Sequence, residues 1–361
     1  GFHYQIAVRD IMKMWHKGYT HLHTSFRYPT ERRIAPEMLI EELNELDAGF
    51  AFCAGDHGDI EGSNYWGIDS REYEEYKEAC LSVNEPGGPL LIPAPEAHLM
   101  FAPFTERHEH HCCVPIADYL PRLNFPESRA LAASYTKEVG SFIAEAHEHN
   151  LSLTLNHPHL SVNSLFSGPP PLSLAPLFQM DYLELCTIGS LASLKKNLEI
   201  YLGYLSNPAS AVMGCCAGVD NAESCWRLLS AEARVVPSTY LYIHGKLNRE
   251  SLMNAWNERR SYMAYGDLSV EMMEPVPSKR YIETMVFPSI KIILFSDEDI
   301  ILTVYRNGVQ IYREKGNGKY GLNWRDEVPL PGRNHYVVHV EAKGKHLVTS
   351  PVNYDYAKRQ H

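Results

Sequence analysis

Gly18-Tyr19-Thr20-His21-Leu22-His23 is the stretch on which the fold reading turns. An apolar run there ends in two histidines at i and i+2. On an extended strand that spacing sends both imidazoles to one face, where they can hold a single metal ion. In a chain with 18 histidines such a pair also arises by chance, so its weight depends on whether similar residues end the later strands. Gly55-Asp56-His57 ends a second apolar run, Pro95-Glu96 follows a third, Asn156-His157-Pro158-His159 ends a fourth, and Gly218-Val219-Asp220 ends a fifth. Metal-binding residue types thus recur at one end of successive strands, and in a parallel α/β barrel those ends converge on one mouth. His147 and His149 fall instead on the polar side of an expected helix and are assigned to solvent.

Outward from these motifs, apolar runs at residues 19–23, 50–55, 90–93, 151–156, 182–186 and 212–219 alternate with segments of helical period, the pattern of repeated βα units. Leu39, Leu43 and Leu46 after Pro36, and Leu131, Tyr135, Val139, Phe142 and Ala146, recur on single helical faces. Residues 249–262, with Leu252, Ala255 and Trp256, form a late helix that closes this first domain, residues 1–270. The strand count predicts a closed or nearly closed barrel. Pro169-Pro170-Pro171 reads as a loop over its mouth, and residues 272–279 as a linker. Beyond it, β-rich runs at 290–295, 300–305, 309–312 and 336–341 are broken by Asn307-Gly308, Gly316-Asn317-Gly318 and Pro331-Gly332. They predict a small antiparallel β-sandwich over residues 271–361, with Tyr312, Tyr320, Trp324 and Tyr336 filling or edging its core.

The 361 residues suffice for two such domains, and 45% hydrophobic with 21% charged residues is a globular composition. A net charge of -11, from 33 basic and 44 acidic residues, repels a phosphate backbone and excludes nucleic acid as a partner. No apolar stretch approaches the roughly 18 to 20 residues that span a bilayer, so no membrane partner is expected. The eight cysteines include the adjacent pairs Cys112-Cys113 and Cys215-Cys216, whose side chains point to opposite faces of a strand; free buried thiols are expected, and with them a reducing, cytoplasmic setting. The chain opens Gly1-Phe2 without Met, which leaves room for a removed export segment.

Together the motifs resemble the PHP (polymerase and histidinol phosphatase) family: a His-x-His after the first strand, Asp-His after the second, Glu after the third, then further histidines and a late Asp. The resemblance covers about residues 15 to 265. Trp15-His16-Lys17-Gly18 ahead of the first motif, and Thr239-Tyr240-Leu241-Tyr242, Arg260-Ser261-Tyr262 and a sandwich after the last, are similar to the carbaryl-hydrolase-like branch. The resemblance implies a distorted (β/α)7 TIM-like barrel. It also implies that His21, His23, Glu96 and Asp220 hold one metal, with Glu96 bridging to a second held by His157 and His111. His108 and His110 stand as alternatives to His111. His57 would belong to a third position. There Thr24-Ser25-Phe26-Arg27 replaces the family's Ser-Asp-Gly and Asp220-Asn221-Ala222 replaces its Asp-x-His, so one or two divalent metals are expected rather than a full trinuclear centre.

Imidazole and carboxylate donors suit Zn²⁺, Mn²⁺ or Fe, and such an ion activates water for attack on phosphorus or a carbonyl near neutral pH. The expected function is a metal-dependent hydrolase, phosphoesterase-like or acting on esters and carbamates. Its substrate is a small anionic molecule, contacted by Arg27, with Arg32 and Arg33 near it, and by His98. Asp56, His57 and His159 are the candidates for proton transfer to a leaving group. Two alternatives compete: an amidohydrolase-type enzyme, which also opens with His-x-His, and a degenerate metal-binding barrel serving as a binding or scaffold protein.

Overall fold

His21, the first histidine of that run, lies in strand β1 (Trp15–Leu22) of the computed structural model. The structure describes residues 14–22, 35–53, 71–94, 96–100, 109–113, 143–144, 146–158, 179–186, 191–207, 213–219 and 236–357, with the backbone alone in 71–76, 96–100 and 109–113. After β1 come α1 (Pro36–Glu45), β2 (Phe50–Cys53), α2 (Arg71–Ser82), β3 (Leu90–Pro93), β4 (Glu96–Met100), β5 (Glu109–Cys113), β6 (Thr154–Asn156) and β7 (Tyr182–Cys186). Then follow α3 (Leu191–Ser206), β8 (Gly214–Ala217), β9 (Ser238–Tyr242), α4 (Arg249–Asn257) and β10 (Ser261–Tyr265). The remainder is all strand: β11 (Ser269–Glu274), β12 (Tyr281–Thr284), β13 (Ser289–Phe295), β14 (Ile300–Arg306), β15 (Val309–Gly316), β16 (Tyr320–Arg325), β17 (Gly332–Ala342), β18 (Lys345–Thr349) and β19 (Val352–Tyr356).

The expected α/β architecture, a (β/α)7 TIM-like barrel, is overturned: the chain is mostly β and is organised around a mixed sheet of 11 strands. Strand direction decides the matter. β1 takes β2, and β2 takes β3, as parallel neighbours, but the other edge of β1 over Trp15–Gly18 bonds antiparallel β9, followed by β10, β18 and β17, each antiparallel to the last. Between β3 and β4 lie only Ala94 and Pro95, far fewer than the dozen or more residues of a parallel crossover. β4 accordingly starts a separate five-stranded sheet, β4-β5-β6-β7-β8, in which β4, β5 and β6 alternate in direction and only β6, β7 and β8 run parallel.

β1 touches both sheets. Its register shifts between Tyr19 and Leu22; Thr20 forms a parallel bridge with Gly218, and the Val219 N–H donates to the Thr20 carbonyl at 3.0 Å. The histidine end of β1 is thereby set against the end of β8.

The sequence places α1 as expected: Pro36 opens it, where a missing N–H costs nothing, and Leu39 and Leu43 are fully buried. The late helix is shorter than residues 249–262. Asn248 and Ser251 form a capping box at the start of α4, Arg259 leaves the helix at φ 60°, and Ser261 begins β10. Trp256 of α4 stacks on Tyr182 of β7 at 3.7 Å between ring centroids, and the Tyr182 hydroxyl donates to the Trp256 carbonyl.

In the C-terminal region a three-stranded sheet, β11-β13-β16, contributes Val270, Met273, Ile290, Ile292, Leu294 and Leu322 to a core shared with Leu302, Val304, Val338 and Val340 of the large sheet. The large sheet runs through residue 270: β17, β18 and β19 come after residue 271 in sequence yet continue the sheet that begins with β1, β2 and β3. No described helix is long and apolar enough to cross a membrane.

Candidate metal centre

His21 and His157, distant in sequence, come together with rings 5.4 Å apart. Both are buried, and both hold left-handed backbone, φ 51° at His21 and φ 25° at His157. Non-glycine residues adopt that region at a cost of order 1–3 kcal/mol, and such residues cluster where the surrounding structure fixes a side chain for function. At His21 the constraint is visible: Thr20 and Val219 clamp the strand to β8, the Thr20 hydroxyl donating to the Ala217 carbonyl.

Glu184, in the middle of β7, fixes the ring. Its carboxylate lies 2.7 Å from His21 Nδ1, and neither side chain is more than 1% exposed. An imidazole that gives its Nδ1 proton to a carboxylate presents the Nε2 lone pair in a set direction, the arrangement that metal-ligating histidines adopt. The Asn156 amide nitrogen stands 3.5 Å from Nε2. Gly218 permits this packing, since a Cβ on it would overlap the Glu184 carboxylate. Next to Glu184, burial first and the carboxylate second push the Cys186 thiol well above its usual range, so it stays protonated.

Of the other expected ligands, Glu96 and His111 are placed by backbone only: Glu96 opens β4 opposite Cys113, and His111 in β5 pairs with both His98 and Asn156. His110 lies opposite Leu99 in the same pair of strands. Position 111 is thus one strand from the residue that precedes His157. His23, Arg27, Arg32, Arg33, Asp56, His57, His108, His159 and Asp220 lie outside the described residues. Val219, which precedes Asp220, is bonded to β1 beside His21.

Glu184 belongs to none of the sequence motifs. A signal for it exists: in Tyr182-Leu183-Glu184-Leu185-Cys186 an acid interrupts a strand buried at all five positions. A charge in so apolar a run needs a partner, and the composition of the run alone makes the acid a site candidate. His147 and His149 are both exposed, as expected, and His147 also pairs with buried Asp181 at 2.9 Å. Cys53, Cys80, Cys186, Cys215 and Cys216 are buried thiols that form no disulfide.

The buried imidazoles of His21 and His157 are donor types that suit a borderline divalent cation, with Glu184 as the group that orients His21. No protein-family model matches the sequence, and no curated protein matches it either.

Proposed function

We propose that this chain is a metal-dependent hydrolase, related through its motifs to the PHP enzymes, that cleaves a small anionic ester such as a phosphate monoester. The observation that carries the reading is the Glu184–His21 pair: a fully buried carboxylate bonded to the Nδ1 side of an imidazole whose backbone is held at φ 51° beside His157. A bound Zn²⁺, Mn²⁺ or Fe ion would supply Lewis acidity, polarising the scissile group and acidifying water toward neutral pH.

The rest of the work falls to the chain. His21 and His157 are the donors in the described part of the pocket, and His23, Glu96, His111 and Asp220 are proposed to complete the set. Glu184 keeps the His21 tautomer with its proton on Nδ1. Asp56, His57 and His159 are proposed to move the proton to the leaving group, and Arg27 and His98 to bind the anionic substrate. A cytoplasmic location accompanies this reading, supported by the buried thiols.

The test is a hydrolysis panel of phosphate, carboxylate and carbamate esters, run with purified chain before and after chelation and after repletion with Zn²⁺, Mn²⁺ or Fe²⁺, alongside His21→Ala. Turnover that needs metal and falls by about a thousandfold or more in the variant is expected, given that a metal site supplies several kcal/mol to the transition state. Stoichiometric metal with no turnover on any ester class sinks the enzymatic reading in favour of a binding protein. Turnover indifferent to chelator and to His21→Ala removes the metal centre from it.

A further inference from the structure

A second cluster of ligating side chains lies far along the chain, on the hairpin formed by β17 and β18. Register puts Glu341 opposite His346, and His339 two residues before Glu341 on the same face of β17. Val338, Val340 and Ala342 point the other way, into the core between the two C-terminal sheets. The turn is fixed by left-handed Lys343 and Gly344. His339 Nε2 is 3.1 Å from His346 Nδ1, the His346 Nδ1 to Glu341 carboxylate distance is 3.8 Å, and all three ligating atoms lie within 4.8 Å of one another. Ligand atoms at tetrahedral angles and about 2.0–2.1 Å from zinc are separated by roughly 3.3 Å, close to the 3.1 and 3.8 Å found between the donors here.

We propose that His339, Glu341 and His346 form a binding site for a divalent transition metal, zinc by its donor set, independent of the candidate centre at His21.

Two further observations support it. The imidazole rings lie nearly parallel, at 14° with 5.4 Å between centroids, and His339 Nε2 faces His346 Nδ1 within hydrogen-bond distance. Glu341 also lines an open groove with Asp299, Lys315, Asn317, Tyr320 and Lys343, so its carboxylate is reached from solvent and an ion held by it can take a fourth ligand from there.

The choice among metals follows from the donor set. One carboxylate does not gather Ca²⁺ or Mg²⁺, which depend on several oxygens, whereas coordinate bonds from two imidazoles favour zinc, copper and nickel.

The full chain, stripped with chelator, is titrated with Zn²⁺ and, for its visible spectrum, Co²⁺. Metal content per chain is measured for wild type, His21→Ala, Glu341→Gln and His346→Ala, with far-UV circular dichroism to verify folding. Glu341 is partly exposed, so Glu341→Gln keeps the hairpin whole while removing the charged ligand. The expected result is a Co²⁺ band of tetrahedral intensity that survives His21→Ala, together with Zn²⁺ affinity for that equivalent lowered roughly tenfold or more by Glu341→Gln and abolished by His346→Ala. Equal metal content and affinity in wild type and folded Glu341→Gln overturn the proposal, as does a spectrum lost with His21→Ala alone.

Discussion

The chemistry of the His21 pocket depends on one buried carboxylate. Glu184 faces His21 Nδ1 at 2.7 Å from a strand that is otherwise apolar. Glu184→Gln preserves shape but withdraws the negative charge that holds the proton on Nδ1, and its amide can present an N–H where an acceptor is required. Loss of such an orienting carboxylate weakens metal binding by roughly 10- to 100-fold, so the variant should fold, bind its first metal more weakly by that factor and show a parallel fall in activity. Competition titration against a coloured chelator measures it, and unchanged affinity means that Glu184 serves only the fold. His21 was legible in the sequence because His-x-His at a strand end has a chemical meaning. Glu184 carried a weaker signal, an acid inside an apolar run, which marks a candidate but not its partner; only the fold sets it against His21. His339, Glu341 and His346 escaped for a related reason: the turn that pairs them is Lys343-Gly344, and register alone brings Glu341 against His346.

Individual elements were more readable than their directions. Leu39 and Leu43 mark α1 because helical spacing states which face is buried, and the apolar runs at Phe50, Leu90 and Tyr182 became β2, β3 and β7. Nothing within Ser238–Tyr242 specifies that it runs antiparallel to β1, since a short, largely buried strand has the same composition in either direction. The end of α4 was hidden for a different reason: Arg259 takes up left-handed backbone that glycine would have advertised. What holds Arg259 there is Asp181, immediately before β7, which accepts from the Arg259 guanidinium, from His147 and from the Leu153 N–H. Burial alone raises the Asp181 carboxyl, but the His147 hydrogen bond and the Arg259 charge outweigh it and hold the group below its usual 3.8. A carboxylate depressed in the folded state contributes stability that is present above the unfolded value and disappears as pH drops through the folded one. Asp181→Asn should therefore cost about 3 kcal/mol at pH 7, because it removes the anion from a buried pair, and the difference from wild type should shrink below about pH 3.8. Urea midpoints at pH 7 and pH 3 report both numbers; a cost that is the same at the two values contradicts the ion-pair account.

Across the whole molecule, the N-terminal strands that carry His21 and the C-terminal strands that carry His339 are one sheet, and the join is polar as well as apolar. β10 bonds β9 on one edge and β18 on the other. Ser350 accepts from the Cys215 N–H at 2.9 Å and meets the Ser261 hydroxyl at 2.6 Å, while the Cys215 thiol donates to the Val348 carbonyl. Val337 and Val348 lie in the same buried cluster as Leu183 and Leu185, the neighbours of Glu184. A chain ending at residue 270 would expose the edge of β10, strip β8 of these partners and uncover the apolar surface beneath them. Cooperativity is the physical consequence, because breaking such a sheet at its middle leaves neither part with a closed core. Differential scanning calorimetry of the full chain should give one transition with equal calorimetric and van't Hoff enthalpies, and the fragment 1–270 should give none. Two resolved transitions, or a fragment that melts sharply on its own and retains the metal bound through His21, would establish that the sheet only adjoins the pocket and does not hold it.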